Sequence, residues 1–197
     1  MKLNLRPSYA FVVDGETEIW YLQMLKRNEK NLNITIKPEL AQKKSLKEQY
    51  DQVCSLAKDY LTVFWVVDID TYIREARMNP RSTKIKDLAK YKLKVSDNVI
   101  FIANTPCFEY WVLLHLYNTS RYFNCCDAVI REIHKRGEFV TYEKTQKYFT
   151  QANDIYKRLR QYLPIAKENA RRLPDIDFSN IEQGACQMYK IFDVLNL

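Results

Sequence analysis

The chain has 197 residues, 47% of them apolar and 28% charged, enough for one full-sized α/β domain with a substantial core, and disorder over most of its length is excluded. Glycine occurs only at Gly15, Gly137 and Gly184, so neither a G-x-G-x-x-G dinucleotide fingerprint nor a Walker A loop can be written anywhere. The net charge of +7 raises the expectation of a polyanionic partner.

Residues 8–13 form an apolar run that stops at Asp14-Gly15, the pattern of a buried strand ending in a turn. Glu16 to Arg27 follows with Ile19, Tyr21, Leu22 and Leu25 at near-helical spacing and acids in its first turn. A β-branched, alternating stretch predicts a strand over 33–38, and Ser45 with Glu48 predicts a capping box opening a helix over 45–61. TVFWVV at 62–67 is the most hydrophobic run and predicts a central strand ending at Asp68-Ile69-Asp70. Helices are expected over 72–78 and 84–93, separated by Asn79-Pro80. A further buried strand is expected over 99–103. Thr105 is read as N-cap and Pro106 as first residue of a helix reaching Tyr117. Beyond Asn118 helices are expected over 126–136, 145–149, 154–172 and 185–195. Trp20, Trp65 and Trp111 are assigned to the core.

Alternating strands and helices imply an α/β fold, with a mainly parallel sheet of about four strands flanked by helices and a helical C-terminal portion. The whole chain, 1–197, reads as one domain, with the α/β core over 1–117 and a helical extension over 118–197. The basic excess is concentrated: Arg74 to Lys94 carries +6 and Lys157 to Arg172 carries +5, leaving −4 on the remainder. Arg77, Arg81, Lys84 and Lys86 are the first candidates for phosphate contact. Arg158 and Arg171 belong to a second stripe with Lys157, Arg160 and Arg172.

Cys54, Cys107, Cys125, Cys126 and Cys186 are odd in number and lack C-x-x-C spacing, which predicts reduced thiols in a cytoplasmic protein. The opening MKLNLRPSYAFVV has no signal-peptide pattern, and no apolar run reaches membrane-spanning length, so no membrane partner is expected. Cys107 and His115 are eight residues apart on one expected helix, about 12 Å of rise, too far for a nucleophile–base pair. Cys107 is read as a small buried residue and His115 as a core or edge histidine.

In an open parallel sheet the functional crevice lies beyond the carboxyl ends of the strands. The acids there are Asp14, Glu16 and Glu18 after the first strand, Asp68 and Asp70 after the third, and Glu109 after the fourth. Carboxylates gathered at one edge repel unless a cation lies between them, and Mg²⁺ or Mn²⁺ is the natural choice for oxygen ligands. With only His115 and His134 and no paired cysteine spacing, zinc is not expected. A carboxylate-held metal beside basic segments fits chemistry on a phosphodiester.

Three motifs in order, FVVDGETEIWYL, VVDIDT and NTPCFEYWVLLHL, resemble those of the RloB-like family, and SNIEQGACQMYKIFDVL is similar to its C-terminal helix. That family is similar to Toprim domains, the α/β catalytic module of topoisomerases and primases, and is associated with phage defence and abortive infection. The resemblance implies Asp14 as general acid/base, Asp68 and Asp70 as metal ligands for Mg²⁺ or Mn²⁺, and Glu18 and Glu109 as assisting acids. The implied activity is a metal-dependent nuclease acting on nucleic acid, with a defence-system protein as a further partner. Two features depart from the family pattern. The first acid is Asp14 where Glu is usual, and Thr105 separates Asn104 from Pro106. The shorter Asp14 side chain motivates an alternative, a non-catalytic nucleic-acid-binding or regulatory subunit.

Overall fold

A computed structural model describes residues 7–13, 15–37 and 44–197. Asp14 lies outside the described residues. Four strands, β1 (Ser8–Val12), β2 (Asn33–Lys37), β3 (Thr62–Asp68) and β4 (Val99–Thr105), run parallel in the order β2-β1-β3-β4. The register sets Val12 beside Trp65 and Asp68 beside Asn104. Because β1 has β2 on one side and β3 on the other, the crevice between the carboxyl ends of β1 and β3 is the switch point of the sheet, where α/β folds place ligands.

Both faces of the sheet are covered, which is why its strands read as continuous apolar runs. Phe11, Val13, Phe64, Val66 and Ile102 face a large core with α1 (Glu16–Asn28), α5 (Glu109–Leu116) and the C-terminal helices. Val12, Val63, Trp65, Val67 and Ala103 alternate onto a second core with α2 (Leu46–Leu56), α3 (Asp70–Met78) and α4 (Lys84–Lys92). Trp65 and Trp111 are fully buried, and Trp20 is partly so. The capping box of α2 forms as predicted: the Glu48 N–H donates to Ser45 Oγ at 3.2 Å and the Ser45 N–H to Glu48 Oε2 at 2.7 Å.

Three local expectations are corrected. Thr105 does not cap a helix; it ends β4, its bond to Pro106 is cis, and α5 begins only at Glu109. The helix expected over 154–172 is two helices, α8 (Ile155–Arg160) and α9 (Leu163–Arg171), with Pro164 in the first turn of α9. Its ring cannot continue a helix from the preceding turn but suits a new start. Ala185 and Cys186 form β5, a fifth strand antiparallel to β4, and α10 (Tyr189–Leu195) starts after it. Pairing with the exposed edge of β4 outweighs the helical periodicity there.

The remaining helices, α6 (Cys126–Ile133) and α7 (Gln146–Thr150), bring the intervening loop back to the sheet edge. Asp154 anchors this region to α1. Fully buried, it caps α8 by accepting from Lys157 N–H at 3.0 Å, and its other oxygen takes Arg27 at 2.5 Å and Asn28 at 3.1 Å. Asp154→Ala removes the cap and takes away the one buried carboxylate that ties Arg27 and Asn28 of α1 to α8. A loss of about 2–3 kcal/mol is expected in urea unfolding; a loss below about 0.5 kcal/mol would show that the anchor carries no stability.

Candidate functional site

The crevice between β1 and β3 holds a cavity of about 160 Å³ whose walls carry Gly15, Glu18, Asp68, Asp70 and Lys144, with Cys107 and Cys126 on one side. Each polar group is set by its element. Glu18 lies in the first turn of α1 and folds back over Gly15, where a Cβ would stand 2.2 Å from Glu18 Oε2. Only glycine leaves room for that carboxylate. Thr17 Oγ1 donates to the same oxygen at 2.9 Å.

Asp68, the last residue of β3, accepts the Phe108 N–H at 2.9 Å and Asn104 Nδ2 at 3.2 Å. The backbone N–H groups of Ile69 and Asp70 donate to the carbonyls of Asn104 and Pro106 at 2.9 and 3.0 Å, so the Asp-x-Asp turn is tied to the β4–α5 loop. Asp70 opens α3 and accepts from Thr71 Oγ1 at 3.2 Å. Glu109, at the start of α5, is completely buried behind the cavity wall. Its Oε1 receives Lys144 Nζ at 3.1 Å and the Tyr142 hydroxyl at 3.3 Å, while Oε2 lies 2.7 Å from Cys126 Sγ.

The electrostatics are those of crowded carboxylates. Burial, reinforced by the Glu109 charge, raises Glu18 to about 6. Asp68 opens onto the cavity, yet the surrounding protein withdraws it from bulk water and Glu18 and Glu109 repel its charge, so it stands well above the usual carboxylate range. Burial pulls Lys144 down, but the carboxylates of Glu109, Asp68 and Glu18 prevail and hold it above its ordinary value. One ammonium therefore faces several acids, leaving a deficit of positive charge that a divalent cation would meet.

The donor set bears on which cation. Glu18, Asp68 and Asp70 share the cavity, but among the described residues their oxygens do not converge within 4.8 Å as a three-ligand group. That arrangement fits Mg²⁺ or Mn²⁺ held by one or two carboxylates and waters. The convergent triple is Cys107, Glu109 and Cys126. Cys107 and Cys126 are joined as a disulfide, contrary to the expectation of reduced thiols throughout; the fold brings them together although no spacing motif links them.

The basic candidates separate. Arg77, on α3, lines a neighbouring cavity with Asp70 and Arg74 and pairs with Glu182 at 2.5 Å. Lys84 pairs with Glu75 at 2.5 Å, and Arg81 and Lys86 are exposed. Arg171 is exposed but held by both oxygens of Asp193 at 2.7 and 2.8 Å. Arg158 cannot serve at the surface. It is buried, stacked 4.1 Å from the centre of the Tyr148 ring, and donates to the Tyr148 carbonyl at 2.9 Å. A stripe read from spacing could not reveal that this guanidinium packs inward.

Lys144 and Tyr142 were beyond sequence reasoning, because the loop carrying them has no periodicity and reaches the cavity only through tertiary packing. Arg74 could have been found, since it follows Asp70 at i+4 and therefore shares its helix face. His115, also buried, donates its Nδ1–H to the Trp111 carbonyl at 2.8 Å, at the opposite end of α5 from Glu109.

A mainly parallel α/β sheet with acidic side chains gathered at its switch point defines the class of protein. Within that class, a family model described as RloB-like protein matches residues 9–195, and the chain belongs to that family. No curated protein and no solved structure matches it. Among the described residues, no helix is long and apolar enough to cross a membrane.

Proposed function

We propose that the chain is a Toprim-like, Mg²⁺- or Mn²⁺-dependent nuclease acting in phage defence. The observation that carries the enzymatic reading is the placement of Glu18, Asp68, Asp70 and Lys144 around one cavity at the sheet's switch point. The defence setting rests on the family resemblance. When bound, the metal would polarise a phosphodiester oxygen and lower the pKa of a coordinated water.

Asp68 and Asp70 are the residues to hold it. Asp68 is pre-aimed by the Phe108 N–H and Asn104, which fix its carboxylate at small reorganisation cost. Lys144 supplies a cation for a non-bridging phosphate oxygen, where developing charge is best stabilised by a preorganised donor. Glu18, at about 6, exchanges a proton near neutral pH and suits general acid/base work alongside Asp14. Glu109 does not line the cavity and acts through Lys144 and Tyr142, as a positioning residue.

Arg74 and Arg77, on the Asp70 face of α3, extend the positive surface from the cavity, and exposed Arg81 and Lys86 continue it. Replacing Arg81 and Lys86 by alanine should weaken nucleic-acid binding about equally for all sequences and lower the slope of log K against log salt by roughly one per lost phosphate contact. An unchanged slope in a filter-binding series would remove these two residues from the interface. Cleavage of DNA and RNA panels with Mg²⁺ or Mn²⁺ tests the activity itself, with Asp68→Asn as the inactive control.

A further inference from the structure

Cys107 and Cys126 lie 19 residues apart in sequence, with their Cα atoms 5.8 Å apart on the wall of the acidic cavity. Their pairing spans α5, so the helix that begins with Glu109 is pinned at the same point. Both nitrogen- and oxygen-borne donors to Glu109, Lys144 and the Tyr142 hydroxyl, approach Oε1. Oε2 is turned to sulfur, 2.7 Å from Cys126 Sγ. Two sulfurs and a carboxylate oxygen thus lie within 4.8 Å of one another.

We propose that, when this disulfide is reduced, Cys107, Cys126 and Glu109 form a binding site for a thiolate-preferring divalent cation of the Zn²⁺ class, and that disulfide formation closes it. The site uses neither Asp68 nor Asp70 and stands independently of the nuclease reading. Two thiolates and one carboxylate are a borderline-soft set that favours Zn²⁺, whereas the oxygen-only ligands across the cavity favour Mg²⁺ or Mn²⁺. Three protein ligands leave a fourth tetrahedral position for water, open to the cavity that both cysteines line. Lys144 and Tyr142 on Oε1 orient the carboxylate so that its other oxygen is presented to the metal. Zinc-class chemistry was not expected from the sequence because the ligands come from the entry to α5 and the first residue of α6, with no recognisable spacing.

The chemistry balances in both directions. On binding, each thiol loses its proton to solvent as a metal–sulfur bond forms. With a peroxide as oxidant, the two sulfurs give up two electrons and join. The O–O bond breaks, two protons complete two waters, and the divalent cation is released.

Cobalt(II) is the probe that reads this site without reference to activity. Titrated into protein kept reduced with a phosphine, it should bind at one equivalent with a thiolate-to-cobalt charge-transfer band, displaced by Zn²⁺. The band should vanish in Cys107→Ser and Cys126→Ser and after peroxide treatment, which lowers the mass by two hydrogens. It should weaken about tenfold in affinity in Tyr142→Phe and persist in Asp68→Asn. If the serine variants fail to fold, peptide mapping of the reduced wild type decides: Zn²⁺ should shield Cys107 and Cys126, and no other cysteine, from alkylation. Absence of the band, its survival in folded serine variants, or unshielded Cys107 and Cys126 would overturn the proposal. Loss of nuclease activity alone leaves these readouts unmoved.

Discussion

Glu18→Gln should raise the stability of the metal-free protein at pH 7.5 by about 2 kcal/mol. The reason is the cost of holding an ionised carboxylate in a desolvated crevice beside the charge of Glu109. Glu18 is raised from 4.5 to about 6, roughly 1.5 units at about 1.4 kcal/mol each. Between pH 4.5 and 6 the folded chain keeps a proton that the unfolded chain has lost, so stability falls as pH rises through that window and stays low above it. The gain in Glu18→Gln should therefore be full at pH 7.5, shrink as pH falls through 6, and disappear near pH 4. If the cavity holds Mn²⁺ on Asp68 and Asp70 as proposed, saturating Mn²⁺ should invert the comparison, because the neighbouring Glu18 charge would strengthen binding in the wild type and its loss would weaken it in the variant. Urea unfolding at several pH values checks this. A Glu18→Gln protein less stable than wild type at pH 7.5 without metal would mean that Thr17 and the backbone already satisfy the carboxylate.

Gly15→Ala should leave the fold standing while lowering activity about 100-fold. The added methyl would meet the Glu18 carboxylate at 2.2 Å. That carboxylate is the far end of a flexible side chain, so it yields before the backbone does. Under the proposed mechanism, yielding displaces the Glu18 acid/base by an ångström or more, which would cost about two orders of magnitude in rate. The variant should show near-wild-type urea unfolding and a collapsed kcat. If its activity matches wild type, Glu18 is not required where the structure places it.

The sheet was largely legible in the sequence because β1, β3 and β4 are buried on both faces and so read as unbroken apolar runs. The acids after them were legible because the carboxyl edge of a parallel sheet is where such side chains end. Glu18, Asp68 and Asp70 do share a cavity there. Glu109 was assigned to the same edge, but it is buried behind the wall, a difference of orientation that spacing on a short apolar helix does not disclose. β5 was hidden because two residues carry no periodicity. The Cys107–Cys126 pairing and the approach of Lys144 are products of tertiary structure alone. Arg158 was misplaced because a guanidinium stacked on tyrosine looks, in sequence, like any other surface charge.

The claim that the crevice between β1 and β3 is a metal-dependent phosphodiester site meets its most direct test in one measurement: Mn²⁺-dependent cleavage of a mixed DNA and RNA substrate pool by wild type and Asp68→Asn side by side. Wild type should cleave in a reaction that chelator abolishes, and the variant should lose at least about a thousandfold, as expected when a group that holds the transition state is removed. Equal cleavage by the two folded proteins, or salt-sensitive binding by both with no turnover, would contradict it.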